Sequence, residues 1–272
     1  MQSARSARAG KPPGLAAGPR APCCGAVLRH VRPVIYYGAG MRIATLGLKG
    51  GTGKTTTAVN LAYGLHLTGR MMLIDADPQQ SARHWLGGTW LEPFVAVRPS
   101  PDLHLSMADT ADRDHVVIDT GPADLAICRS AALASEIVII PVAPTSLDVS
   151  RLGPTWDLLT ELEQIHPVAA GVLLVKVRRG TRSAREARAA LADVGYPVLD
   201  TEIPLLETHG QGFGAVPELL SYAGLLEEVQ GLSQAGGAAR RRPRHTRCCY
   251  TARLRPARIP AKARAATGRS AD

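Results

Sequence analysis

Cysteine is scarce in this chain, and what there is stands in the wrong places for a scaffold. Of 272 residues five are cysteine, four of them as adjacent pairs near the ends, Cys23-Cys24 and Cys248-Cys249, with Cys128 between. No C-x-x-C spacing occurs, which argues against a disulfide framework and a thiolate metal site. The eight histidines are scattered, with no H-E-x-x-H and no pair at ligand spacing beside acids. Uninterrupted apolar runs of about 18 residues, the length that spans a bilayer, are also missing. A cytoplasmic protein is expected.

Acidic residues are missing from the edges. Positions 1 to 40 hold six Lys/Arg and no acid, while positions 233 to 272 hold eleven Lys/Arg and one acid, Asp272. The chain has 32 basic and 23 acidic residues, so positions 41 to 232 keep 15 basic and 22 acidic ones, a net of −7. The tails therefore create the overall charge of +9. Neither tail has sustained apolar periodicity to offset chain entropy, which predicts disordered segments over 1–40 and 233–272 around one domain at 41–232. Met41 directly precedes the first apolar run and is the expected natural start. The rival reading of 1–40 as a transit peptide fits poorly with its prolines and glycines. Arg240-Arg241-Arg242-Pro243-Arg244 is either a phosphate-binding tail or a solvated charge run.

The middle reads as alternating short apolar runs and helical patterns, the signature of a doubly wound, mostly parallel α/β sheet flanked by helices. Strands are predicted at 42–47, 71–75, 94–98, 115–119, 137–141, 171–177 and 198–203. Trp85 and Trp90 are read as packing anchors.

Between the first strand and the helical run Thr57–Ala62 lies Lys49-Gly50-Gly51-Thr52-Gly53-Lys54-Thr55-Thr56. Glycines at 50, 51 and 53 remove side chains where backbone N–H groups close around phosphate oxygens, and the following helix N-terminus adds partial positive charge. Lys54 is placed to reach the β- and γ-phosphates, the Thr55 hydroxyl to ligate Mg²⁺, and Thr56 to touch the α-phosphate. A nucleoside triphosphate is the expected ligand. Two more apolar strands end in carboxylates: Leu73-Ile74-Asp75-Ala76-Asp77-Pro78-Gln79-Gln80 and His115-Val116-Val117-Ile118-Asp119-Thr120-Gly121-Pro122. Residues two apart share a strand face, so Asp75 and Asp77 are expected to approach one Mg²⁺–phosphate site if the strand runs that far. Asp119 has the Walker B position and is expected to hold Mg²⁺ through water.

The ordinary pattern G-x-x-x-x-G-K-[ST] requires glycine at position 48, where this chain has Leu48 followed by Lys49. K-G-G-x-G-K-T instead resembles the signature of the ParA/MinD superfamily of deviant P-loop ATPases, and most closely its small plasmid-type partition members without an N-terminal helix-turn-helix. The resemblance covers positions 41 to 230, strong in the first three motifs and weak after 150. It implies a slow, Mg²⁺-dependent ATPase in which two subunits sandwich ATP, Lys49 reaches the partner's nucleotide, Asp77 positions the attacking water and Asp75 supports the metal shell. It also implies Pro144, in Pro141-Val142-Ala143-Pro144, near adenine. Expected partners are a second copy on ATP binding, nonspecific DNA and a ParB-like adaptor, with nucleoid association and no membrane. Two departures stand out. Gly121 replaces the first proline of the frequent D-T-P-P, and Leu205 replaces the arginine of the frequent I-P-R.

Arg182, Arg185 and Arg188, spaced i, i+3, i+6, form a loose basic stripe on a predicted helix, with Arg178 and Arg179 just upstream. In an acidic core this cluster is the candidate DNA surface, with a solvated face paired by Glu186 as the bland alternative. Protein-cargo positioning by the same ATP cycle is a competing function. A MinD-like membrane role is disfavoured by the acidic Leu225-Leu226-Glu227-Glu228-Val229-Gln230, which lacks a basic amphipathic face.

Overall fold

Each predicted apolar run is a strand in the computed structural model, which describes residues 40–122, 124–178, 180–206, 212–217 and 219–241. The strands are β1 (Met41–Thr45), β2 (Met71–Asp75), β3 (Val95–Val97), β4 (His115–Asp119), β5 (Ile137–Val142), β6 (Ala169–Val177) and β7 (Val198–Pro204). They pair in the order β3-β2-β4-β1-β5-β6-β7, and every pairing is parallel. Parallel neighbours need crossovers, and the helices supply them: α1 (Lys54–His66), α2 (Ser81–Leu86), α3 (Leu125–Leu133), α4 (Ser146–Ser150), α5 (Gly153–Leu162) and α6 (Arg182–Val194), followed by α7 (Ala223–Arg241).

Alternation along the strands builds a core on each face. Ala44, Ile74, Val116, Ile118, Val138 and Ile140 face one way, onto Ile127 and Ala131 of α3, Trp156 and Leu159 of α5 and Leu191 of α6. Ile43, Leu73, Val117, Ile137 and Ile139 face the other, onto Val59, Leu61 and Leu65 of α1 and Leu225 and Val229 of α7. The central strands β4 and β5 are buried along their whole length, as expected for a sheet covered on both faces.

The last strand is an edge, and α7 covers it with a charge. Glu228 accepts the N–H of Asp200 at 2.8 Å and of Thr201 at 3.1 Å. Two donors of an otherwise open edge are thereby satisfied. The helix carrying Glu228 continues to Arg241. Outside the described residues lie 1–39, 123, Arg179, Glu207 with 208–211, 218 and 242–272, and with them both cysteine pairs and most of the arginine tail.

β2 ends at Asp75, so the condition under which Asp75 and Asp77 would share a strand face is not met. Ala76 donates across to the Asp119 carbonyl at 2.8 Å, and the chain then turns, with Gln80 N–H donating to the Asp77 carbonyl at 2.8 Å. The Asp-Pro step ends the strand as a turn former does.

Candidate nucleotide site

Register places three functional strand ends in one row. Thr45 of β1 is paired with Asp119 of β4, which is paired with Asp75 of β2. This row lies at the carboxyl edge where β1 stands between β4 and β5, the place where open parallel sheets bind ligands.

The loop leaving β1 has the backbone of a phosphate cradle. Gly51 and Gly53 have φ of 73° and 88°, a left-handed conformation that glycine adopts without a Cβ penalty. Gly53 is also the N-cap of α1, and no side chain caps that helix, so its first N–H groups are left for an anion. Lys54 folds back and donates to the Lys49 carbonyl at 2.8 Å. Burial pushes its ammonium pKa down, opposed by the charges of Asp119, Cys128 and Asp77. Thr55 and Thr56 sit half-buried in the first turn, and Thr52 is buried beneath the loop.

Asp119 is the most electrostatically loaded group. It is fully buried; Oδ1 accepts the Thr45 hydroxyl at 3.1 Å, while Oδ2 lacks a well-formed hydrogen bond. Burial pushes its pKa up to about 7, although the Thr55 and Thr45 hydroxyls favour the charged form. An orphaned buried carboxylate oxygen beside a threonine hydroxyl suits a hard cation with oxygen ligands. The residues therefore fit Mg²⁺.

The other two carboxylates have local work. Asp75 accepts the N–H of Asp77 at 3.1 Å on one oxygen and that of Arg83 at 2.8 Å on the other. Burial raises its pKa, and these two amides lower it. Asp75 thus braces the turn and the start of α2. Asp77 accepts Gln79 N–H at 2.9 Å and the Ser81 hydroxyl at 3.2 Å.

Lys49 is not free. Its ammonium pairs with Asp148 Oδ1, and Asp148 Oδ2 accepts the Thr145 hydroxyl at 2.8 Å. Sequence reasoning missed Asp148, 99 positions away. The available signal was Thr145-Ser146-Leu147-Asp148, a helix-start pattern in which Thr145 accepts the Asp148 N–H. A second missed cation is Lys176, which donates to the Gly51 carbonyl at 2.7 Å from a left-handed backbone with φ 56°. Pro144 sits half-buried at the exit of β5, next to the N-cap of α4.

The basic stripe is narrower than its spacing suggests. Arg188 is committed to Glu202 at 2.9 Å and to the carbonyls of Leu199 and Asp200, and Arg182 pairs with Glu186 at 2.6 Å. Arg185 and Arg178 are exposed. Trp85 is buried, and its indole N–H donates to the Ala215 carbonyl at 3.1 Å, as expected of an anchor. Trp90 is 44% exposed against Tyr63 and His66.

A parallel sheet with a glycine cradle at its carboxyl edge and a buried carboxylate beside it defines a P-loop nucleotide-binding protein. The chain belongs to the CobQ/CobB/MinD/ParA nucleotide-binding domain family, whose model matches residues 43–210. It is 31% identical over 169 residues to maintenance of carboxysome distribution protein A of Halothiobacillus neapolitanus, covering 59% of this chain and 78% of the relative. It is 32% identical over 203 residues to the chromosome-partitioning ATPase Soj of Thermus thermophilus, covering 60% and 80%. Its fold is similar to cobyrinic acid a,c-diamide synthase of Mycobacterium smegmatis with bound ADP and magnesium, at a TM-score of 0.60 and 20% identity over 76% of this chain and all of that one. Among the described residues no helix is long and apolar enough to cross a membrane.

Proposed function

We propose that this chain is an ATP-driven dimerisation switch that positions DNA, with slow Mg²⁺-dependent hydrolysis as its reset. The observation that carries the reading is Lys49. It stands at the mouth of a complete phosphate cradle, on a loop that has no need of a second lysine to bind its own nucleotide, and the chain's own Asp148 holds it. Lys54, the loop amides and Thr55 would bind the triphosphate, Thr55 and Asp119 would hold Mg²⁺, and Lys49 would exchange Asp148 for the partner's phosphates. The metal would neutralise charge developing on the phosphate oxygens. Asp77 would orient the attacking water, Asp75 would brace the turn that carries Asp77, and Pro144 would border the base. ATP would favour the dimer, the dimer would hold nonspecific DNA through Arg178, Arg179, Arg182 and Arg185, and a ParB-like adaptor would trigger release. This cycle belongs in the cytoplasm, on the nucleoid.

Protein-cargo positioning is the second reading, favoured by the carboxysome-distribution relative and by the pairing of Arg182 and Arg188 with acids. ATP hydrolysis measured with and without nonspecific DNA separates the two. The first reading expects stimulation or ATP-dependent retention on DNA, lost in an Arg178→Glu, Arg185→Glu variant. Indifference to DNA in both proteins would move the assignment to a protein cargo.

A further inference from the structure

Gly121 stands where the two strand-end motifs touch. A methyl group on its Cα would lie 2.7 Å from Asp77 Oδ1, 3.0 Å from Asp77 Cγ and 3.4 Å from Pro78 Cδ. The first distance is shorter than a side chain tolerates and the other two are tight, so a Cβ at this position requires the Asp77 carboxylate to shift. The carboxylate is poorly placed to yield. It is 4% exposed, both oxygens are engaged, by Gln79 N–H and the Ser81 hydroxyl, and the next turn already contains Gln80 in a left-handed conformation at φ 55°. Such a conformation is strained outside glycine. On the other side of the same segment, Pro122 lies in ordinary contact range of any side chain added at Gly50 of the cradle. The β4 exit is thus wedged between the cradle and the turn that holds Asp77.

We infer that Gly121 is a positioning residue for Asp77 in this chain: the carboxylate as it stands here occupies the space a side chain at 121 would fill, so a Cβ there must move it. The inference deepens the proposed reading of Asp77 as the group that orients water, and it makes the departure from D-T-P-P a functional feature of this chain. The atoms nearest a Cβ at Gly121 belong to Asp77 and Pro78, not to the loop or Lys54. A substitution there therefore separates hydrolysis from binding.

Two measurements test this. The first needs no nucleotide: melting temperatures of wild type, Gly121→Ala, Asp77→Ala and the double variant. Gly121→Ala should lower the wild-type value by about 3 °C or more, and the loss should largely disappear in the Asp77→Ala background, where the clashing atoms are gone. An equal loss in both backgrounds would overturn the contact. If Gly121→Ala alone fails to fold, folding of the double variant is the same positive result, and its failure the same negative one. The second is turnover: Gly121→Ala should lose roughly 10- to 100-fold in kcat with ATP affinity unchanged, and should add nothing in an Asp77→Asn background. Wild-type turnover in Gly121→Ala would overturn the positioning role. Absence of turnover in the wild type itself would instead overturn the proposed function and the hydrolytic part of this inference, while the melting cycle still decides the contact.

Discussion

Asp119 concentrates the conflict between folding and chemistry in one side chain. A carboxylate at the centre of a parallel sheet, with one oxygen short of a partner and a pKa pushed up to about 7, destabilises the protein, and the proposed Mg²⁺ would offset that cost. Asp119→Asn should therefore raise the melting temperature of the nucleotide-free protein and abolish Mg²⁺-dependent strengthening of ATP binding. A lower melting temperature together with retained Mg²⁺ dependence would refute this assignment. At this scale the sequence was informative wherever chemistry is local. Lys49, Lys54 and Thr55 are readable because a phosphate cradle is eight consecutive residues, and Asp119 because an apolar run leads straight to it. Asp148 and the contact of Gly121 with Asp77 were not readable, since each joins segments whose proximity only the folded sheet creates.

Elements are legible when their apolar residues repeat, and the seven strands were. Their ends were not. The turn after Asp75 is fixed by hydrogen bonds from the Arg83 and Asp77 amides, and α7 runs on beyond its last apolar repeat into residues that apolar periodicity does not score. Polar contacts between elements were hidden for the same reason. Arg188, read as part of a basic stripe, ties α6 to β7 through Glu202, and Glu228 closes the β7 edge. Replacing Glu228 with alanine should cost about 1–3 kcal/mol and accelerate amide exchange at Asp200 and Thr201; unchanged protection there would refute the edge-capping role. At the opposite ends of β2 and β4, Asp114 accepts the Arg70 backbone N–H at 2.9 Å and its guanidinium at 3.2 Å. The Arg70 hydrogen bonds lower its pKa to about 2. An acid with a depressed native pKa stabilises above its unfolded value near 3.8 and loses that contribution as pH falls toward 2. Asp114→Asn should accordingly flatten acid unfolding between about pH 4 and 2, measured by circular dichroism, whereas an identical acid limb would contradict the pairing.

The whole molecule is built so that three motifs spread from Thr45 to Asp119 meet at one sheet edge, through the neighbouring strands β2-β4-β1. The parallel sheet and its family were legible, because alternating apolar runs and the K-G-G-x-G-K-T loop are sequence properties. Cargo was not, because exposed arginines say nothing of their partners until their intramolecular pairs are known. The central claim is that this monomer becomes a dimer on ATP through Lys49, and light scattering of wild type and Lys49→Ala with and without ATP and Mg²⁺ tests it most directly. The wild-type mass should double with ATP, while Lys49→Ala should still bind ATP and remain a monomer; a mass that doubles in the variant as well would contradict the account.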